Sequence, residues 1–82
     1  MIEVLYFAWL RERIGERSET IETKAPDVAA LVEELKTRSE AHALAFSDMT
    51  AVRVAVDQEL TDMSASIASA REVAFFPPMT GG

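Results

Sequence analysis

The segment "PDVAALVEELKTRS", residues 26–39, has the clearest periodicity in the chain, and it decides the predicted fold. Its apolar side chains recur at i, i+3, i+4 and i+7, which predicts an amphipathic helix with a single buried face. These side chains are Val28, Leu31, Val32 and Leu35. Asp27 precedes them and can accept hydrogen bonds from the free amides of the first turn. A helix with one apolar face needs a second layer to cover it, so we expect a sheet beside it.

Two predicted strands and a short helix precede this segment. The run "IEVLYFA", residues 2–8, is rich in β-branched and aromatic residues. Both of its faces are largely apolar, which predicts an inner strand that is at least partly covered on both sides. The run "ETIETK", residues 19–24, predicts a second strand antiparallel to the first. Between them, "WLRERIGER" (residues 9–17) has helical spacing, and Gly15 can end a short helix there.

After the main helix, a weaker helical piece is predicted at roughly residues 40–46. The run "AVRVAVD", residues 51–57, places three valines on one face and predicts a half-buried strand. The run "QELTDMSASIASA", residues 58–70, has no clean period and predicts turns anchored by Leu60 and Ile67. One more short strand is possible near residues 58–63. The run "REVAFF", residues 71–76, predicts the last strand.

The predicted order is therefore β–β–α–(α)–β–β. The simplest packing lays the main helix across one face of a small mixed sheet, with the first and last strands side by side. This α+β arrangement is the β-grasp fold, which ubiquitin shares. We expect the β-grasp domain to span residues 1–76 and an extended, flexible tail to span residues 77–82.

Length and composition restrict the class of protein. A chain of 82 residues forms one domain with a small core. The net charge is −6, from 14 acidic and 8 basic residues, which argues against a nucleic-acid face and favours basic protein partners. The start "MIEVLYFAWL" lacks the basic lead of a signal peptide, and no apolar run is long enough to span a membrane. We therefore expect a cytoplasmic protein without nucleic-acid or membrane partners.

The chain contains no cysteine, which excludes disulfides, thiolate metal sites and cysteine nucleophiles. The single histidine, His42, has no histidine partner with which to bind a metal ion. Because it lies in a helical stretch, we expect a surface or half-buried residue, not a ligand or a catalytic group. We expect neither a metal site nor a bound cofactor.

The chain ends with "EVAFFPPMTGG", residues 72–82, and its last two glycines have two interpretations. One is a frayed terminus, since chain ends are commonly disordered. The other is a thin tail that presents a carboxylate at its tip and can thread a narrow channel. Pro77 and Pro78 start this tail stiffly, and residues 77–82 would reach roughly 20 Å when extended. Once activated, the carboxylate could form an isopeptide with an amine or a thiocarboxylate with a sulfur donor.

Three stretches together resemble the small, sulfur-carrier subunit of molybdopterin synthase, the MoaD family: "VLYFAWLRERIG" (residues 4–15), "VAVDQEL" (residues 54–60) and the ending "EVAFFPPMTGG". The resemblance covers essentially the whole chain, and the FFPP-x-T-GG ending is its most specific part. It implies that Gly82 is adenylated with ATP by a partner related to ubiquitin-activating enzymes. A sulfur donor would then convert Gly82 to a thiocarboxylate, which donates sulfur to cyclic pyranopterin phosphate and so forms the dithiolene of molybdopterin.

The resemblance also implies partners and roles for other residues. The chain would be a non-catalytic subunit, paired with a large synthase subunit in a heterotetramer of two small and two large chains. Thr80 and Gly81 would pass with Gly82 through a channel of the partner. Four residues match positions of a docking surface around the root of the tail; they are Phe7, Arg11, Leu60 and Phe76.

These docking residues also have plainer interpretations. Strand aromatics usually pack inward, so Phe7 and Phe76 are equally candidates for the core. Arg11 fits a solvated helix charge. Leu60, in a polar turn, is the residue for which the sequence most favours exposure.

Two positions depart from the family pattern. The stretch "ASAR", residues 68–71, stands where the family often has a Gly/Asp turn, and alanine tolerates positive φ poorly. Asp57 stands where asparagine is common. Two alternative functions remain open: a carrier of the same design for another pathway, such as thiamine synthesis, and a ubiquitin-like modifier that joins Gly82 to protein lysines.

Overall fold

The computed structural model describes residues 1–78. The elements in chain order are β1 (Ile2–Tyr6), α1 (Trp9–Ile14), β2 (Ser18–Ile21), α2 (Val28–Lys36), α3 (Glu40–Ala45), a 3₁₀ turn (Met49–Ala51), β3 (Arg53–Val56), β4 (Glu59–Thr61) and β5 (Glu72–Phe76). The predicted order is confirmed, including the weaker helix and the short extra strand. The second strand ends earlier than the sequence predicted, at Ile21.

The five strands form one mixed sheet in the order β2-β1-β5-β3-β4. The predicted pairing of the first and last strands is confirmed and is parallel, with Tyr6 opposite Phe75. The other three pairings are antiparallel. Because β1 and β5 run in the same direction, the chain leaves β5 at the end of the sheet where β1 leads into α1.

Helix α2 begins and packs as its sequence predicts. The Asp27 side chain accepts a hydrogen bond of 2.8 Å from the amide of Ala30, which caps the first turn. Its four periodic apolar residues are all buried against one face of the sheet. The centre of the core is aromatic: the Phe46 and Phe75 rings are 5.0 Å apart, and the Tyr6 ring stacks on Phe75 at 6.5 Å.

The opposite face of the sheet is open, which corrects one expectation. Strand β1 is an inner strand, but Leu5 is only half-buried and Phe7 is 48% exposed. The helices cover the face that carries Ile2, Val4 and Tyr6, so the expectation that both faces are at least partly covered holds for Leu5 on the second face but not for Phe7. Ile67 is buried, which confirms it as an anchor of the long turn segment.

In the turn between β3 and β4, Asp57 has a left-handed backbone conformation and its side chain accepts two hydrogen bonds. Asp57 and Gln58 both have positive φ, 49° and 70°, as a two-residue type I′ hairpin turn requires. The Asp57 Oδ1 atom also accepts hydrogen bonds from the amides of Arg71 and Glu72, at 2.9 and 3.0 Å. This carboxylate therefore ties the hairpin to the start of β5. By contrast, residues 68–71 have no positive φ, and their turn is closed by the Ala70 amide and the Ile67 carbonyl at 3.1 Å.

His42 lies in the interior, so the prediction of a surface or half-buried residue was wrong. Glu19 Oε2 accepts hydrogen bonds from the Tyr6 hydroxyl at 2.6 Å and from His42 Nε2 at 2.8 Å. The other ring nitrogen of His42 lies 2.7 Å from the Ser39 hydroxyl. An ionised carboxylate only accepts hydrogen bonds, so Nε2 is the donor to Glu19. Ser39 is three positions away from this histidine, but Glu19 is 23 positions away, and no local sequence pattern could show that second partner.

Glu19 is the charged centre of this network. Burial by itself would raise the pKa of Glu19, but the hydrogen bonds from Tyr6 and His42 outweigh it and lower this pKa overall. Arg38 Nη2, at 3.5 Å from Glu19 Oε1, acts in the same direction. Burial and the hydrogen bond to Glu19 raise the pKa of Tyr6. Strand β2, strand β1 and helix α3 are thus held together by one carboxylate.

We expect the Glu19 carboxylate to make the stability of the fold sensitive to acid. A carboxyl group with a lower pKa in the folded chain stabilises the fold above its unfolded pKa, and this contribution is lost as the pH falls through the folded value. Glu19→Gln should lower the free energy of unfolding by about 1–3 kcal/mol at pH 7, because it weakens charge-assisted hydrogen bonds. Below about pH 4.5, the variant should lose less stability with falling pH than the unmodified protein does.

Thermal melts between pH 7 and pH 3 would test this, with Glu16→Gln as the control. Glu16 is exposed and has no ion pair or side-chain hydrogen bond within residues 1–78. If Glu19→Gln kept the acid dependence of the unmodified protein, Glu19 would not be its source.

Candidate functional site

An apolar band crosses the open face of the sheet. Residues that lie opposite each other in a sheet project to the same side, so the strand register defines this band. Leu5 lies opposite Ala74, Ala74 opposite Ala55, and Ala55 opposite Leu60. One row therefore runs across β1, β5, β3 and β4. Leu60, on the edge strand β4, is 72% exposed. Its predicted exposure is confirmed, and the prediction that it anchors the turn segment was wrong.

A second row lies at the end of the sheet where the predicted tail begins. Tyr6 pairs with Phe75, which places Phe7 beside Phe76, and the Phe7 amide donates to the Phe75 carbonyl at 3.0 Å. Phe75 projects into the core and is fully buried, whereas Phe76 is half-buried on the open face. Phe76 is followed directly by Pro77. We call the two rows together the open face; its apolar members are Leu5, Phe7, Ala55, Leu60, Ala74 and Phe76.

The backbone beside Phe7 is strained. Ala8 has φ 54° and ψ −129°, and the Leu10 amide donates to the Phe7 carbonyl at 3.1 Å. This is the geometry of a type II′ turn, whose first central position normally holds glycine. This tight turn leads the chain from β1 into α1. It leaves the Phe7 side chain on the open face, directly after the last residue of β1. Strained backbone of this kind is concentrated at functional sites.

The structure brings together three of the four predicted docking residues. Phe7, Leu60 and Phe76 share the open face, and none of them is fully buried. Arg11 is exposed on α1, outside the strands whose register defines this face. Its side chain makes no ion pair within residues 1–78. The predicted tail residues Thr80, Gly81 and Gly82 lie outside the described residues, as does most of the predicted tail segment.

Sequence reasoning missed several residues of the open face. Leu5, Ala55 and Ala74 complete the apolar row, and Arg53 lies opposite Phe76. The alternation of "AVRVAVD" contained part of this signal, because Arg53 and Ala55 must project away from the three valines. Which face would stay open depends on the position of the helices, and that is a tertiary property.

Within residues 1–78, no group of three or more His, Asp or Glu side chains is arranged to hold a metal ion. In the same part of the chain, no helix combines the length and the apolar character needed to cross a membrane.

Comparison with known proteins decides the family. The model of the ThiS family matches residues 4–82 of the chain. The chain belongs to the ThiS family. This ThiS-family chain is 39% identical over 82 residues to the molybdopterin synthase sulfur carrier subunit of Escherichia coli strain K12. It is 35% identical over 82 residues to the protein of the same name from Haemophilus influenzae. Both alignments cover 100% of each chain, and the resemblance found in the sequence is confirmed.

Solved structures of similar fold extend this result. The ThiS-family chain matches SAMP1 from Haloferax volcanii with a TM-score of 0.77 and 25% identity, covering 99% of this chain and 98% of the other. It matches a putative molybdopterin converting factor, subunit 1, from Pyrococcus furiosus with a TM-score of 0.72 and 27% identity, covering 95% and 97%. The predicted β-grasp fold is confirmed.

Proposed function

We propose that this chain is the sulfur-carrier subunit of a molybdopterin synthase. The observation that carries the proposal is the position of the open face, whose apolar residues Phe7 and Phe76 adjoin the start of the tail at Pro77. A partner that covers this face also meets the tail. The names of the two full-length relatives supply the pathway.

In this proposal, the reactive group is the carboxyl of Gly82. An activating enzyme joins it to AMP from ATP, because a free carboxylate is a poor electrophile. A sulfur donor then displaces AMP and leaves a thiocarboxylate on Gly82. The thiocarboxylate sulfur is transferred to cyclic pyranopterin phosphate, where it becomes part of the dithiolene of molybdopterin.

The partners follow from this sequence of steps. They are an adenylating enzyme related to ubiquitin-activating enzymes, a sulfur-donor system and the large synthase subunit, with two small and two large subunits in the synthase. The catalytic acids, bases and lysines belong to these partners, and the carrier binds no cofactor of its own. Its contribution is to position the sulfur, and positioning alone can supply a large part of a rate enhancement. We place these steps in the cytoplasm.

The direct test is the mass of the carrier after activation. Incubated with the adenylating enzyme, ATP and a sulfur donor, the protein should gain the mass of one sulfur in place of one oxygen, at Gly82. Intact-mass spectrometry and C-terminal peptide mapping would measure this change, and a reaction without ATP is the control. Conjugates through lysine side chains would instead identify a protein modifier.

A second step of the same experiment tests the pathway. Addition of the large subunit and cyclic pyranopterin phosphate should consume the thiocarboxylate and produce molybdopterin. A thiocarboxylate that forms but is not consumed by the large subunit would assign the carrier to another pathway.

A further inference from the structure

Among the five strands of residues 1–78, Arg53 is the only basic residue, and it lies at the root of the predicted tail. In the ladder between β3 and β5 it lies opposite Phe76, the last residue before Pro77. Side chains at opposite positions share a face, with their Cβ atoms about 4.5–5.5 Å apart. Arg53 therefore stands beside Phe76 on the open face, and it is exposed.

The guanidinium of Arg53 has unused hydrogen-bonding capacity. Among residues 1–78, only Nη1 has hydrogen-bond partners. Both bonds are long, to the main-chain carbonyls of Thr50 at 3.4 Å and Val52 at 3.3 Å. No carboxylate of residues 1–78 lies within 4.0 Å of it. Asp62 is next in the β3–β4 register, but it accepts from the Ser64 amide at 2.9 Å and the Ser64 hydroxyl at 2.5 Å. Within residues 1–78, Arg53 thus makes no ion pair, and it lies beside the apolar side chains of the open face in a protein of net charge −6.

The other end of the open face carries the opposite charge. Glu3 and Glu72 lie opposite each other in the parallel ladder between β1 and β5, and both project to the open face. From Glu72 to Phe76 the strand rises by about 13 Å, at about 3.3 Å per residue. Along the strands, the open face therefore carries two carboxylates at one end, the apolar band in the middle, and Arg53, with Asp62 next to it in the register, at the root of the predicted tail.

We propose that Arg53 forms an ion pair with a carboxylate of the large synthase subunit, beside the entrance that receives the tail. The identity of the partner rests on the function proposed above. The anion is a side chain of the partner and not a phosphate of the reaction, because residues 77–82, if extended in the partner, would carry the Gly82 carboxyl roughly 20 Å from Phe76. Glu3 and Glu72 then face a basic group on the same subunit, about 13 Å further along.

Such a charge pattern specifies the orientation of docking. The apolar band alone would accept a partner in either direction along the strands. Reversed docking would bring Arg53 against the basic group of the partner and the two glutamates against its carboxylate, and like charges at an interface are costly. Only one orientation satisfies both ends, and in that orientation the tail points at its channel. Arg53 is thus a specificity-determining residue of the carrier.

Titration calorimetry with the purified large subunit of the same organism would test this role. Arg53→Glu should weaken binding about tenfold or more, which corresponds to about 1.4 kcal/mol. Lys24→Glu is the matched control, since it changes the net charge equally. Lys24 is exposed, follows the end of β2 that pairs with Ile2, and is not on the open face. Lys24→Glu should change the affinity by less than threefold. Both variants should have the melting temperature of the unmodified protein.

A loss of less than threefold for Arg53→Glu relative to Lys24→Glu would overturn the proposal. If Arg53→Glu melted at a lower temperature, Arg53→Gln would replace it, because that variant removes the charge without adding a new one. Arg53→Gln should bind more weakly and with less dependence on salt, and an unchanged salt dependence would equally overturn the proposal. If the unmodified carrier failed to bind the large subunit at all, the proposed function itself would be wrong, and the assignment of Arg53 with it.

Discussion

Deletion of Gly82, or addition of one residue after it, is expected to abolish sulfur transfer and leave the fold intact. One residue of extended chain spans about 3.5 Å, so either change moves the reactive carbonyl away from its position in the partner. A misplacement of about 1 Å can already cost about a hundredfold in rate, and we expect at least that loss here. The fold should not change, because the last strand ends at Phe76.

The measurement is a reconstituted synthase assay beside a circular-dichroism spectrum and a thermal melt. One extra residue before Met1 is the matched control, since Met1 is 84% exposed and precedes the end of β1 that lies away from the tail. That variant should keep full activity. Normal sulfur transfer by a carrier with a shifted or blocked C-terminus would contradict the proposed role of Gly82.

The sequence predicted best those features that depend on local spacing. The four apolar residues of α2, its cap at Asp27 and the end of α1 at Gly15 all follow from neighbours within one or two helical turns. The strands were located from their own local patterns, although β2 ends at Ile21, earlier than predicted. The parallel pairing of β1 and β5 joins residues about 70 positions apart, and it was predicted because few arrangements can cover one helix with so few strands.

Other features could not be predicted, because they depend on which face the helices cover. The pattern of β1 is apolar on both sides, and only the position of the helices leaves Leu5 and Phe7 on the open side. The burial of His42 depends on Glu19, which lies on a different element. Leu60 fits both an anchor and an exposed residue, and its register opposite Ala55 decides between them.

The topology of the sheet places the open face and the root of the predicted tail next to each other. Since β1 and β5 are parallel, Phe7 and Phe76 reach the same end of the sheet, and the antiparallel β3 begins there with Arg53. Two aromatic side chains and the Arg53 guanidinium, which makes no ion pair within residues 1–78, thus meet beside Pro77, where the predicted tail begins. A partner that binds this end of the sheet can position the predicted tail, whose last two residues are glycines and have no side chains to bind.

Phe75 and Phe76 are neighbours in the chain, but their replacement by alanine is expected to have opposite effects. Phe75 is fully buried and lies 5.0 Å from the Phe46 ring, so Phe75→Ala should cost about 3–5 kcal/mol of stability. Small domains have only about 5–15 kcal/mol in total, and the melting temperature should fall sharply. Phe76→Ala should leave the melt nearly unchanged, because its ring is half-buried on the open face.

The loss for Phe76→Ala should appear in binding. An aromatic anchor at an interface commonly contributes about 2 kcal/mol when truncated, which corresponds to roughly thirtyfold in affinity. Thermal melts and titration calorimetry of both variants against the large subunit separate the two effects, since the remaining folded Phe75→Ala protein should bind with nearly unchanged affinity. If Phe76→Ala lowered the melting temperature as much as Phe75→Ala and left the affinity unchanged, Phe76 would belong to the core, and the docking surface would lie on another part of the molecule.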